Sequence, residues 1–174
     1  MTTMTDSPRI YVACLSSYNN GILHGEWIDA TLHHDDMYEA IDAMLAASPM
    51  PNAEEWAIHD YDNFAGITID ENARLGAVVS LAEAIADHGE AFAVWHNNAP
   101  AYNTNPNTFQ DCYIGEYEDE ESFAVELISE QYPKEDLGPL ADYIDYERYA
   151  RDLFFDGYWN ERSSNGTIYV FSDR

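Results

Sequence analysis

Apolar positions recur along this chain with two different periods, and the switches between them mark out its elements. Ile10 to Leu15 (IYVACL) is a β-branched and aromatic run of the kind that forms a strand. It leads into Tyr18-Asn19-Asn20-Gly21, where Asn-Gly supplies the positive φ of a tight turn, and Gly25 to Ala30 (GEWIDA) reads as its antiparallel neighbour. The period then changes. Met37, Ala40, Ile41, Met44 and Leu45 fall at i, i+3, i+4, i+7 and i+8, one face of a helix, with Asp35, Asp36, Glu39 and Asp42 on its N-terminus and outer face. Ser48-Pro49-Met50-Pro51 stops it, and Glu55 to Asp60 (EWAIHD) returns to a strand pattern.

From Asp70 a second helix is predicted, with Leu75, Val78, Val79, Ala82, Ile85 and Ala86 inward, Glu83 and Asp87 outward, and Gly89 as its C′ residue. Asn97 to Asn107 (NNAPAYNTNPN) is a breaker rich in Pro and Asn. Beyond it Phe109 to Tyr117 reads as a strand and Asp119 to Gln131 as an acidic helix stopped by Pro133. Pro139 to Phe155 reads as a longer helix with proline near N1, and Thr167 to Phe171 as a closing strand. The prediction is an α+β fold in three small parts. Residues 8–67 form an N-terminal antiparallel sheet with one helix, 68–106 a helical middle, and 107–174 a C-terminal sheet with helices.

Charge changes the picture. The 174 residues carry 33 Asp+Glu against 7 Lys+Arg, a net charge of −26, while 46% of residues are hydrophobic and 14% aromatic. That apolar content is far above that of a disordered acidic tail, so the chain folds. Such a balance excludes a protein that grips nucleic acid or an anionic membrane through a basic surface. No apolar run approaches a membrane span, and the polar start carries no signal-peptide core, so a cytoplasmic protein is expected. From Ile10 to Pro133 the 23 acidic residues face a single base, Arg74. Most remaining bases lie among the acids after Pro133, where Asp145/Arg148, Glu147/Arg151 and Arg148/Asp152 have helical pair spacing.

Candidate chemistry is sparse. Cys14 and Cys112 lie in apolar stretches and read as free buried thiols. Asp60, Asp62 and Glu71 occupy positions 1, 3 and 12 of a calcium loop, but Phe64 and Ala65 stand where the loop needs an oxygen ligand and a glycine. His33-His34-Asp35-Asp36 has metal-ligand types, yet neighbours at a helix start diverge, and a surface turn is the expectation. The carboxylates of Glu118 to Glu121 could hold magnesium, but a nuclease would have to draw a polyanion into a field of the same sign. No P-loop, G-x-S-x-G, H-E-x-x-H or dinucleotide glycine pattern is present. No enzyme activity, cofactor or bound metal is expected. Trp27, Trp56, Trp95, Trp159 and the tyrosines read as core and interface filling.

Two readings of the charge remain. An acidic, lysine-poor surface suits concentrated salt, and Lys134 is the only lysine. Alternatively the carboxylates imitate nucleic acid: 26 charges match about 13 base pairs, or about 44 Å of duplex, and acids three or four apart on a helix recur every ~5–6 Å. Composition leaves these level, and either leaves room for another DNA-binding protein as partner.

Several strings resemble the ArdA family of antirestriction proteins: IYVA at Ile10 to Ala13, Tyr18-Asn19-Asn20-Gly21, LHGEWIDA at Leu23 to Ala30, EWAIHDYDNF at Glu55 to Phe64 and YIGEY at Tyr113 to Tyr117. The longest, LADYIDYERYARDL at Leu140 to Leu153, resembles that family's acidic antirestriction motif. The resemblance implies an elongated, three-part, dimeric DNA mimic carried by a plasmid, conjugative element or phage. It also implies a type I restriction-modification enzyme as partner, whose methyltransferase core and specificity subunit would be blocked at the DNA groove, in restriction and often in modification.

On that reading Asp35, Asp36, Glu39, Asp42, Asp70, Glu71, Glu83, Asp87, Glu118, Asp119, Glu120, Glu121, Glu126 and Glu130 stand in for phosphates. Within the motif (Leu140, Asp142, Tyr143, Asp145, Tyr146, Glu147, Arg151, Asp152, Leu153), Tyr143, Tyr146, Ala150 and Leu153 are expected on one packed helical face. Asp142, Asp145, Glu147 and Asp152 are then left exposed. Phe109, Tyr113 and Tyr117, alternate residues of the expected strand, are the candidate dimer contact, with burial in the chain's own core as the rival.

Overall fold

The computed structural model describes residues 7–99 and 105–173. Contacts divide the chain into two compact units, Met1–Asn97 and Asn98–Arg174, and the division falls inside the Pro/Asn-rich breaker. Part of that breaker lies outside the described residues. Each unit contains a three-stranded antiparallel sheet, and the class is α+β, as the patterning predicts.

In the first unit β1 (Arg9–Cys14) is central, flanked by β2 (Gly25–Asp29) and β3 (Trp56–Asp62). β1 and β2 are the expected antiparallel neighbours, but a tight turn does not join them. Leu15–Asn19 forms a single helical turn, α1, and Gly21 at φ 74° reverses the chain, its N–H donating to the Tyr18 carbonyl at 2.9 Å. Helix α2 (His34–Ala46) packs on β1 and β2; its Met37, Ile41 and Met44 are buried, as are Ile10, Val12 and Ile28 of those strands. Its acidic residues stay outside because the apolar stripe alone faces the sheet.

Helix α3 (Leu75–Asn98) corrects the second helix prediction at both ends. The segment from Asp70 is not helical: its carboxylate accepts from Asn72 N–H at 2.9 Å and its carbonyl from Ala73 N–H at 3.0 Å, a local turn that defers the helix to Leu75. Gly89 does not end the helix but kinks it, with φ 58° and ψ −139°, and an unpredicted apolar stretch follows in which Ala91, Phe92, Ala93 and Trp95 are buried. Before the kink Leu75, Val78, Val79 and Ala82 point inward as expected, whereas Ile85 is half-buried and Ala86 exposed. Ile58 N–H donates to the Glu71 carbonyl at 3.0 Å, so the backbone just beyond residue 67 stays bonded to the sheet. The separate middle part at 68–106 stands as a proposal.

In the second unit Phe109 lies in a helix, not a strand. Asn105 accepts from Asn107 N–H at 3.1 Å and Pro106 takes a first-turn position, so α4 (Pro106–Cys112) forms before β4 (Tyr113–Tyr117) begins. β6 (Ile168–Ser172) is central, between β4 and the unpredicted β5 (Tyr158–Arg162). The period of two in β6 builds both sides of the sheet. Ile168 and Val170 join Phe123 of α5 (Glu120–Gln131), with Leu127, Leu153, Phe154 and Tyr158 around them. Phe171 takes the other side, stacked on Trp159 at 4.4 Å between ring centroids and tilted against Phe109 at 6.4 Å.

The long helix expected from Pro139 to Phe155 is broken. After α6 (Lys134–Leu137), Gly138 adopts φ 52°, Gly138–Tyr143 forms a 3-10 turn, and a new helix, α7 (Tyr146–Phe155), starts where Asp145 accepts from Arg148 N–H at 3.0 Å. Both cysteines are free and buried, as expected. Among the described residues no helix is long and apolar enough to cross a membrane.

Candidate functional site

Every carboxylate proposed from the sequence as a phosphate substitute is exposed. They fall on short local rows. On α2, Asp35 and Asp36 open a row continued by Glu39 and Asp42 at intervals of three, outside the Met37, Ile41 and Met44 stripe. On α3, Glu83 and Asp87 are one turn apart, and around α5 the acids run Glu118, Asp119, Glu120, Glu121, Glu126 and Glu130. Asp35 and Asp36 in the first turn of α2, and Glu120 and Glu121 in that of α5, also meet the positive end of a helix dipole. Local folding therefore favours acids at sites where solvent access favours them too.

These carboxylates are not equivalent. Asp119 caps α5, accepting from the Ser122 backbone N–H at 2.8 Å and its hydroxyl at 2.7 Å, and these bonds hold its carboxyl below the ordinary range. Glu120 accepts from Asn160 Nδ2 at 2.8 Å, and Glu126 from the Tyr117 hydroxyl at 3.2 Å. Burial, followed by the charge of Glu126, pushes the Tyr117 phenol up to about 12. Asp70 is held by its own turn. By contrast the carboxylates of Asp36, Glu39, Asp42, Glu71, Glu83, Asp87, Glu118, Glu121 and Glu130 make no hydrogen bond or ion pair among the described residues. Their charge faces water, free to meet a cation.

The segment Leu140 to Leu153 divides at Asp145. Tyr146 is half-buried, Ala150 buried and Leu153 packed on the Phe123 cluster, as the helical spacing predicts, but Tyr143 is not on that face: it lies in the 3-10 turn and is 85% exposed. Leu140, in the same turn, is 69% exposed. Asp142, Glu147 and Asp152 are exposed as expected. Asp145 is exposed yet spent on capping, and Glu147 pairs with Arg151 at 3.3 Å.

Phe109 is 1% exposed and stacks on Tyr113 at 5.1 Å between centroids, filling the chain's own core. The alternation that grouped it with Tyr113 and Tyr117 does not exist, since helix α4 carries it; Tyr113 and Tyr117 are half-buried on β4. Further exposed carboxylates lie outside the set expected from the sequence: Glu26 on β2, Asp60 on β3, Asp111 on α4, Glu116 on β4, and Glu135 and Asp136 on α6. For Glu26, Asp60 and Glu116 the signal in the sequence is the outward half of a strand's alternation. Of the calcium-like set, Asp60 and Asp62 lie in β3 and Asp62 pairs with Arg9 at 2.9 Å, so no calcium loop forms.

Among the described residues, exposed acids occur on each of the longer helices, α2, α3, α5 and α7. Residues 10–165 match the family described as antirestriction protein (ArdA). The chain belongs to the ArdA family. This is a family of inhibitor proteins rather than enzymes, and its action is antirestriction. The match runs from β1 through β5 and includes the whole Leu140 to Leu153 segment, so both units are ArdA sequence. No curated protein matches the chain.

Proposed function

We propose that this ArdA-family protein acts as a double-stranded DNA mimic, occupying the DNA groove of a type I restriction-modification enzyme and blocking restriction, and modification as well, of incoming mobile-element DNA. The observation that carries this is the set of exposed carboxylate rows on α2, α3 and α5, most of them without an internal cation, in a chain of net charge −26. Mechanistically it is competitive occlusion: the carboxylates meet the Lys and Arg that otherwise hold phosphates, and no bond is made or broken. Phosphate contacts position a duplex without reading its bases, so inhibition of this kind ignores the enzyme's target sequence. A homodimer, with Tyr113 and Tyr117 of β4 in or near its contact, would double the charged surface and suit two-part recognition sites.

The test is competition. Purified protein is titrated into a methyltransferase core, with its specificity subunit, bound to labelled DNA at about 0.1 M salt. Stoichiometric release that weakens as salt rises is the expected result, because screened charges attract less. DNA that stays bound at every concentration overturns the reading, and leaves the carboxylates as a hydration coat for concentrated salt.

A further inference from the structure

The sequence argues against metal binding at His33-His34-Asp35 because neighbours on a helix diverge, but the structure removes that objection. His33 is not on the helix: at φ −57° and ψ 143° it is the N-cap of α2, and this extended backbone turns its ring back over its successors. The His33 and His34 ring centroids lie 4.5 Å apart. His33 Nδ1 stands 3.5 Å from Asp35 Oδ2, and His34 Nε2 stands 3.1 Å from Asp35 Oδ1. All three donor atoms lie within 4.8 Å of one another. A tetrahedral ion bound at ~2.0–2.1 Å separates its ligand atoms by about 3.3 Å, and each imidazole already stands near that distance from one of the two Asp35 carboxylate oxygens. All three side chains are exposed, and their rotation brings one donor atom from each onto a single ion.

We propose that His33, His34 and Asp35 form a binding site for a borderline divalent transition ion such as Zn2+ or Ni2+. Two imidazoles and a carboxylate suit these ions, whereas Mg2+ and Ca2+ prefer oxygen alone. The site leaves coordination positions for water, and Glu71 borders the same cleft as His34 as a further oxygen donor. Electrostatics are mixed: the N-terminus of α2 and Arg74 of the same cleft repel a cation, while Asp35, Asp36 and Glu39 on the first turns attract one. The internal bond displaced is weak, since His33 Nδ1 accepts from Asp35 N–H at 3.4 Å. The site stands independently of the antirestriction reading, whose test is DNA release.

The experiment is calorimetric titration of the untagged full chain with Ni2+ and Zn2+, alongside His33→Asn, His34→Gln and Asp35→Asn, with circular dichroism to show that each variant folds. Asparagine at position 33 retains an N-cap acceptor, so helix α2 is preserved. One saturable equivalent is expected, weakened at least about tenfold by each substitution, with Mg2+ binding unchanged by His34→Gln. In imidazole-detected NMR two of the six histidines should move with the first equivalent. Absence of saturable binding, or a first equivalent that binds the folded double variant His33→Asn/His34→Gln as tightly as the wild type, overturns the proposal.

Discussion

Single side chains in this protein serve the surface and the fold at once, and Asp119 shows how the two uses separate. Its carboxylate faces solvent as one of the proposed phosphate substitutes, yet it also closes the first turn of α5. Asp119→Ala should cost about 1 kcal/mol in urea unfolding at neutral pH. Its folded-state pKa is depressed, so the contribution is present above the unfolded carboxylate pKa and is lost as pH falls through the folded one. The gap between variant and wild type should therefore narrow as pH falls below the ordinary carboxylate range. Exposure keeps the pH-dependent part small. Tyr117 has the opposite sign: its phenol is raised from 10.0 to about 12, so the folded state holds its proton longer and stability falls as pH rises between those values. Tyr117→Phe should remove the last phenolate step in an ultraviolet pH titration and flatten that alkaline loss.

Elements differ in how openly the sequence declares them. The stripe of Met37, Ile41 and Met44 announces α2, and Asp119 followed by an apolar period ending before Pro133 announces α5, because local signals and tertiary packing agree there. Where they compete, the pattern misleads. Ile85 and Ala86 continue an apolar period that the packing does not use, and Phe109 sits in an aromatic run that reads as a strand although Asn105-Pro106 opens a helix. The candidate surface was more legible than its exceptions, since exposure of an acid follows from charge alone, whereas the capping role of Asp145 depends on where a helix breaks. Gly89 marks another such break. Its backbone lies where a side chain is strained even though nothing lies within 4 Å of a built Cβ, so Gly89→Ala should cost about 1–3 kcal/mol in thermal or urea unfolding without any clash. The two halves of the Leu140 to Leu153 segment should also part company. Leu153→Ala, which opens the Phe123 cluster, should cost about 2 kcal/mol, and Tyr143→Ala no more than about 0.5 kcal/mol.

At the scale of the whole molecule the charges act as a population. An exposed ion pair contributes about 0.2–1 kcal/mol, so replacing one carboxylate by its amide should shift the inhibitor concentration for half-release of DNA by less than about fivefold. Replacing Glu118, Asp119, Glu120 and Glu121 together should shift it more than about tenfold, with a shallower dependence on salt, in the same competition assay. Among the described residues neither sheet is closed: β2 and β3 end one, β4 and β5 the other, each leaving a row of backbone donors and acceptors without a neighbouring strand. Such rims invite aggregation between molecules unless something keeps the molecules apart. Glu26, Asp60, Glu116 and Glu161 lie on those rims, and the net charge of −26 opposes non-specific pairing of edges between molecules. Colloidal stability is thus a by-product of the charge, and acidification toward neutrality should bring turbidity before it brings unfolding.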